Sequence, residues 1–178
     1  MAAYAACLVV LGHLHGKQAD LKAAHAMLDE ALEISRSGGN VLLEAWGLTE
    51  LAEIALAMHR LDIVDACVRR SLVLLDPEKT WYGLPGRLEI VRGQLAAAGR
   101  GWEEADGHFE RAIAVTRAFE LPYDEARAHH AAAMTALQRG APGSRDQVVL
   151  ALGRAGALFR QAGADRDLDA VTGALARL

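Results

Sequence analysis

Three side-chain positions recur in phase along this chain, and they constrain its fold more than any other feature. The first falls at Ala24, Val64, Ala105 and Val148, the second at Leu28, Val68, Phe109 and Leu152, the third at Ala31, Ser71, Ala112 and Ala155. Each set has the same separations of 40, 41 and 43 residues. Within a unit the offsets are four and then three, so the three side chains share one helical face. A small residue where two helices cross closely, a large one to fill the groove and a second small one describe a tightly packed helical hairpin. Repeated in phase, this pattern predicts an all-α chain of stacked hairpins, each in contact with its neighbours.

The breaks agree with that period. Gly16 to Asp20 reads as a turn, and Ser37-Gly38-Gly39-Asn40 stops a helix with residues that tolerate the left-handed conformation. Pro77 ends the fourth helix and Pro122 opens the seventh. Gly140 to Ser144 is a break with Ser144 as N-cap. The expected hairpins are about 2–36, 41–75, 85–119 and 122–162, with 165–178 as a capping helix, all within a single domain 1–178. Composition supports helices: hydrophobic residues make up 52% and aromatics only 5%, and the dominant Ala and Leu are strong helix formers.

The hairpin Leu84 to Arg117, LPGRLEIVRGQLAAAGRGWEEADGHFERAIAVTR, carries the pattern best, with Trp102 opening its second helix. It resembles the tetratricopeptide repeat (TPR). A period near 40 exceeds the roughly 34 residues of that class, and armadillo- or HEAT-like helix pairs of about 40–47 residues also fit. The small–large–small signature in every second helix favours the tetratricopeptide reading. Two phrases, RGWEEADGHFERAIAVTR and RAGALFRQAGADRDLDAVTGALARL, resemble the C-terminal repeat arrays of large bacterial signalling proteins. These are the ATPase-type transcriptional regulators related to the maltose activator, the antibiotic regulatory proteins and some nucleotide cyclases. Their "ALF-x-x-x-GA-x-x-DL" phrase is matched by Ala157-Leu158-Phe159, Gly163-Ala164 and Asp167-Leu168. The chain has no Gly-x-x-x-x-Gly-Lys-Ser/Thr run and no cyclase core. The resemblance implies a right-handed α-solenoid and a regulatory or scaffold module in the cytoplasm.

The remaining signals exclude more than they assign. Net charge is −4 with both signs interspersed, which gives no footprint for nucleic acid or an anionic membrane. No apolar run approaches the roughly 18 residues of a membrane span, and MAAYAACLVV lacks the basic start of a signal peptide. Cys7 and Cys67 have no metal or disulfide spacing and read as small core residues. His13 and His15 diverge on a helix, as do His129 and His130, so no metal ligand set is expected. Gly99-Arg100-Gly101 follows a helical segment rather than a strand and reads as a hairpin turn. Leu51 to Ala55 followed by Ile63-Val64 is a poor helix-turn-helix, because Asp62 and Asp65 would face phosphate. No nucleophile motif occurs, and no enzyme activity or cofactor is expected.

The expected function is therefore binding of a protein or peptide, with inducer sensing as the alternative. The resemblance implies that first helices line a concave groove. Alignment to the repeat puts His13, Lys17, Trp46, Thr49, Glu53, Glu89, Arg127, His130 and Gln138 in it, with the register open between Glu89 and Ile90. Trp81 and Tyr82 are either surface anchors or a cluster tucked under the long connection. Met1 to Leu14 carries no charge. There Tyr4, Leu8 and Leu11 are expected to pack inward, leaving Cys7, Val9 or Val10 as an apolar edge for a neighbouring repeat or a homo-oligomer.

Overall fold

The computed structural model describes residues 1–76, 78–79, 81–140 and 145–178. The helix stop expected at Pro77 and the N-cap expected at Ser144 lie outside them. Among the described residues the chain is all-α. The helices are α1 (Ala2–Lys17), α2 (Leu21–Ser37), α3 (Val41–Ala57), α4 (Leu61–Leu74), α5 (Leu84–Ala98), α6 (Trp102–Ala118), α7 (Pro122–Arg139), α8 (Arg145–Gln161) and α9 (Asp165–Leu175). A short 3-10 turn, Trp81–Gly83, precedes α5. The helices pack as sequential antiparallel pairs. The residues form two compact units, Met1–Trp81 and Tyr82–Leu178. In the first, α1 pairs with α2 and α3 with α4, while α3 also meets α1 and α2. In the second, α5 pairs with α6 and α7 with α8, α7 also meets α5 and α6, and α9 closes on α8.

The recurring stripe is the interior of every hairpin. Each of its side chains, from Ala24 to Ala155, is at most 6% exposed. The large member is received by a small residue on the facing helix in two of the pairs. A Cβ on Gly12 would lie 2.8 Å from Leu28 Cγ, and one on Gly93 would lie 2.5–2.8 Å from three atoms of the Phe109 ring. These distances are shorter than van der Waals contact, so the close crossing exists only because the first helix offers no side chain there.

The turns repeat as regularly as the stripe. One left-handed residue follows α1, α2, α3, α5, α6 and α8, at Ala19, Gly39, His59, Arg100, Glu120 and Gly163. After it, the next amide closes a six-to-one bond onto the helix end: Asp20 to His15, Asn40 to Ser35, Arg60 to Ala55, Gly101 to Ala96, Leu121 to Thr116 and Ala164 to Phe159. This is the Schellman arrangement, which satisfies helix-end carbonyls. Within hairpins and between them the left-handed residue recurs every 20 residues, at 19, 39 and 59 and again at 100 and 120. The long period thus comes from helices of 14 to 18 residues joined by minimal turns. Asp20 and Asn40 add side-chain caps, accepting from the amides of Ala23 and Leu43.

The end of the chain is built from the closing phrase. Phe159 is buried and meets the edge of Tyr123 at 5.7 Å. Gly163 makes the turn, and Leu168, Leu175 and Leu178 pack with buried Val171 on the last core.

At the other end the inward face of α1 differs from expectation. Ala5, Leu8, Val9 and Gly12 are the buried residues, so Val9 is a core residue and not part of an open edge. Tyr4 is 51% exposed, with its hydroxyl donating to Glu30. Leu11 is exposed alongside Val10, Leu14 and Cys7. The open apolar strip is there, but its members are Tyr4, Cys7, Val10, Leu11 and Leu14. The cause is that Gly12 must face Leu28, which fixes the rotation of α1, and Val9, three residues earlier, then packs toward Gly47 on α3, where a Cβ would lie 3.6 Å from its Cγ2.

Two substitutions test this account. Gly93→Ala should destabilise the second unit by about 1–2 kcal/mol, because overpacking against a buried ring outweighs the roughly 1 kcal/mol helix-propensity gain. Urea unfolding followed by Trp102 fluorescence measures it, and Phe109→Leu in the same chain should restore part of the loss. Ala19→Gly should instead raise the stability of the first unit by about 0.5–1 kcal/mol, since it relieves a left-handed alanine; a fall in the midpoint read from Trp46 would contradict the turn.

Candidate functional site

Several polar side chains on first helices are fixed by partners. In the first unit Glu50 on α3 is only 2% exposed. Its carboxylate lies 2.9 Å from His13 Nδ1 on α1 and accepts a 3.0 Å bond from Trp46 Nε1 one turn earlier. A buried carboxylate is tolerated only with such donors. His13 and Trp46 remain partly exposed above it, with Lys17 exposed and Glu53 half-buried on the same two helices. Of the expected residues on α1 and α3, Glu50 brings His13 and Trp46 together. Thr49 does not join them. It is fully buried, and its hydroxyl donates to the Ala45 carbonyl at 2.9 Å. Because α3 is covered by α1, α2 and α4, it keeps only a narrow open strip, and Thr49 lies beneath it.

In the second unit Ile90 is 2% exposed and the Glu89 side chain 13%, so neither of the two residues between which the register was open presents an open side chain. Glu89 faces its own hairpin partner. Its Oε2 lies 2.7 Å from His108 Nδ1 and accepts from Arg111 Nε at 3.0 Å, while Arg92 bonds Oε1. Burial pushes the Glu89 carboxyl upward, but the bonds from His108 and Arg111 and the charge of Arg92 outweigh it and hold its pKa low. Arg127 on α7 bonds Asp124 at 3.3 Å and lies over the Tyr123 ring at 6.0 Å. Arg87 on α5 reaches the same Asp124 oxygen at 3.6 Å, and the Tyr123 hydroxyl donates to Asp167 on α9. His130 lies one turn beyond Arg127 and is half-buried. Gln138 is exposed near the end of α7, about 12 Å further along the axis, and stands apart from this cluster.

The connection aromatics separate. Trp81 donates its indole N–H to the Asp76 carbonyl at 2.6 Å and lies under Lys79, whereas Tyr82 is 81% exposed. Both have positive φ, 46° and 49°, a strained conformation for bulky residues.

Three buried polar nodes were not foreseen: Glu50, His108 and Glu44. Glu44 opens α3, is 4% exposed, and accepts from Arg36 and from Arg70 through two of its nitrogens. Burial raises its pKa, but the two arginines reverse that and hold it below the ordinary carboxylate value. A signal for the two glutamates was available: α3 is almost entirely apolar, so its acids had to be either on one narrow strip or paired. Among the described residues no three His, Cys, Asp or Glu side chains are grouped to share a metal ion, and no helix is long and apolar enough to cross a membrane.

Neither a scan against protein-family models nor a search of curated proteins returned a match to this chain. What the geometry offers, then, is read from the geometry: two sets of first-helix side chains held rigid by internal bonds, one on α1 and α3, the other on α5 and α7.

Acid should weaken the second unit early. Burial lowers the pKa of His129, with Glu125 opposing, and of His130, with Asp167 opposing. A depressed folded pKa means the unfolded chain binds protons first, so this stability is complete above about 6.5 and is lost as pH falls through the folded values. Proton NMR should place both imidazole midpoints below 6.5, and Trp102-detected unfolding should shift to lower urea between pH 7 and pH 5.5. Replacing both histidines by Gln should flatten that dependence.

Proposed function

We propose that this chain is a non-enzymatic scaffold of the tetratricopeptide type, the interaction or regulatory module of a bacterial signalling or transcription regulator. It holds a protein or peptide segment against its first helices. The observation that supports this reading is the internal fixing of those helices' polar residues. Glu50 is set by His13 and Trp46, and Asp124 by Arg87 and Arg127, so the surfaces they carry need little ordering on association. Trp and Arg are also the residue types that dominate binding energies when partly desolvated. The small–large–small stripe supports the repeat class, and the closing phrase, with Phe159 as core anchor and Gly163 as turn, supports the likeness to the regulator arrays.

A second reading, inducer sensing, is favoured by the convergence of Tyr123, Arg127 and His130 near Asp167 in the second unit. Polar groups that converge among apolar walls are what a small-ligand site requires.

Pull-down from a bacterial lysate with mass-spectrometric identification, followed by affinity measurement on the captured partner, separates the two. Trp46→Ala and Arg127→Ala should each weaken a protein partner about tenfold or more, the loss of one anchor, and Gln138→Ala should not. Unchanged affinity in both variants excludes these surfaces. A sensor would instead gain about 2.7 kcal/mol of thermal stability from a metabolite at 100 times its dissociation constant.

A further inference from the structure

The first unit carries a groove on the side away from α1. Helices α2 and α4 both pack on α3 and run in the same sense, leaving between them an open pocket of about 350 Å³. Its floor is apolar, from Leu32, Leu48, Leu51 and Cys67, with Ile63 and Ala66 on the α4 wall. Burial pushes the Cys67 thiol up to about 11, so it is a packing surface and not a nucleophile.

The charged groups are sorted to the two ends. Arg36 and Arg70 stand at one end, sharing the single buried carboxylate of Glu44. Arg36 uses only Nε in that bond, and Arg70 uses Nε and one terminal nitrogen. The other terminal nitrogens of these half-exposed guanidiniums make no bond among the described residues. This end therefore has one excess positive charge and donors in a fixed orientation, which suits a carboxylate. Asp29 and Asp62 stand at the other end, the first beside His25 and the second paired with Arg60. Each lies seven or eight residues before its helix's arginine, which is about 10–12 Å along the axis. A tripeptide in extended form spans about 10 Å.

We propose that the α2–α4 groove binds a short zwitterionic peptide of about three residues, with its carboxylate on Arg36 and Arg70, its amine toward Asp29 and Asp62, and a central apolar side chain on the floor. The site is independent of the α1–α3 surface. Its volume is at the lower end of small-ligand pockets, and Glu44 keeps the arginine fork rigid before any ligand arrives.

The test is a nitrogen-15 NMR titration of the full 178-residue chain with the probe Ala-Leu-Ala in three forms: free ends, C-terminal amide and N-acetyl. The free form should give saturable shifts confined to groove residues of α2, α3 and α4. The amide should bind at least tenfold more weakly and the acetylated form several-fold more weakly. Arg36→Gln should reduce affinity for the free form at least fivefold while the melting temperature holds, because Arg70 still pairs with Glu44. Asp62→Asn, on an exposed residue, should reduce the preference for the free amine, with Asp29 retaining the rest. Ala66→Trp should fill the groove and abolish the shifts, whereas Trp46→Ala should leave them unchanged. Absence of saturable groove shifts at millimolar probe, or equal affinity for all three forms, overturns the proposal.

Discussion

The fold depends on how closely two paired helices can approach. Leu28 and Phe109 enter space that a single Cβ on Gly12 or Gly93 would take. With so few aromatics, the chain builds its interior from Ala, Leu and Val at short range, where burial of apolar surface and close dispersion contacts act together. The close crossing also fixes which face of α1 and α5 is turned inward. On α3 the polar positions are confined to a narrow strip.

Much of this was legible in the sequence. The stripe is a tertiary pattern written at helical spacing, and the breaks at Ser37 to Asn40 and at Gly163 announce left-handed turns by their residue types. Other parts were hidden for physical reasons. Ala19, His59, Arg100 and Glu120 occupy the same turn as Gly39, and no residue-type preference marks them; only their equal spacing does. In α1 almost every side chain is apolar, so periodicity has no polar face to set its phase. That is why Val9 reads as outward and Tyr4 and Leu11 as inward, when the Gly12–Leu28 contact decides the reverse. Thr49 was placed by repeat alignment, which cannot register that α3 is covered by three neighbours.

The buried acids show how an apolar interior and a polar surface are joined here. Glu50 and Glu44 lie on the same helix, about one and two-thirds turns apart, yet serve different sides. Glu50 supports the exposed rings of His13 and Trp46, and Glu44 supports the guanidiniums of Arg36 and Arg70. Each turns flexible side chains into fixed ones, and fixed side chains lose less entropy when a partner arrives. Glu89 does the same between α5 and α6 with His108 and Arg111.

The sharing of Glu44 has a further consequence for how such a sequence can drift. Two arginines from different helices, Arg36 and Arg70, converge on one carboxylate. Loss of either leaves the acid neutralised by the other, so each arginine is individually dispensable to the fold. Loss of both strands a charge in an apolar setting, and loss of the acid sets two like charges side by side. Substitutions at Arg36 and Arg70 are thus epistatic: each is permissible only while its counterpart stays. Lineages descending from a common ancestor are free to discard one arginine or the other, whereas Glu44 has no understudy.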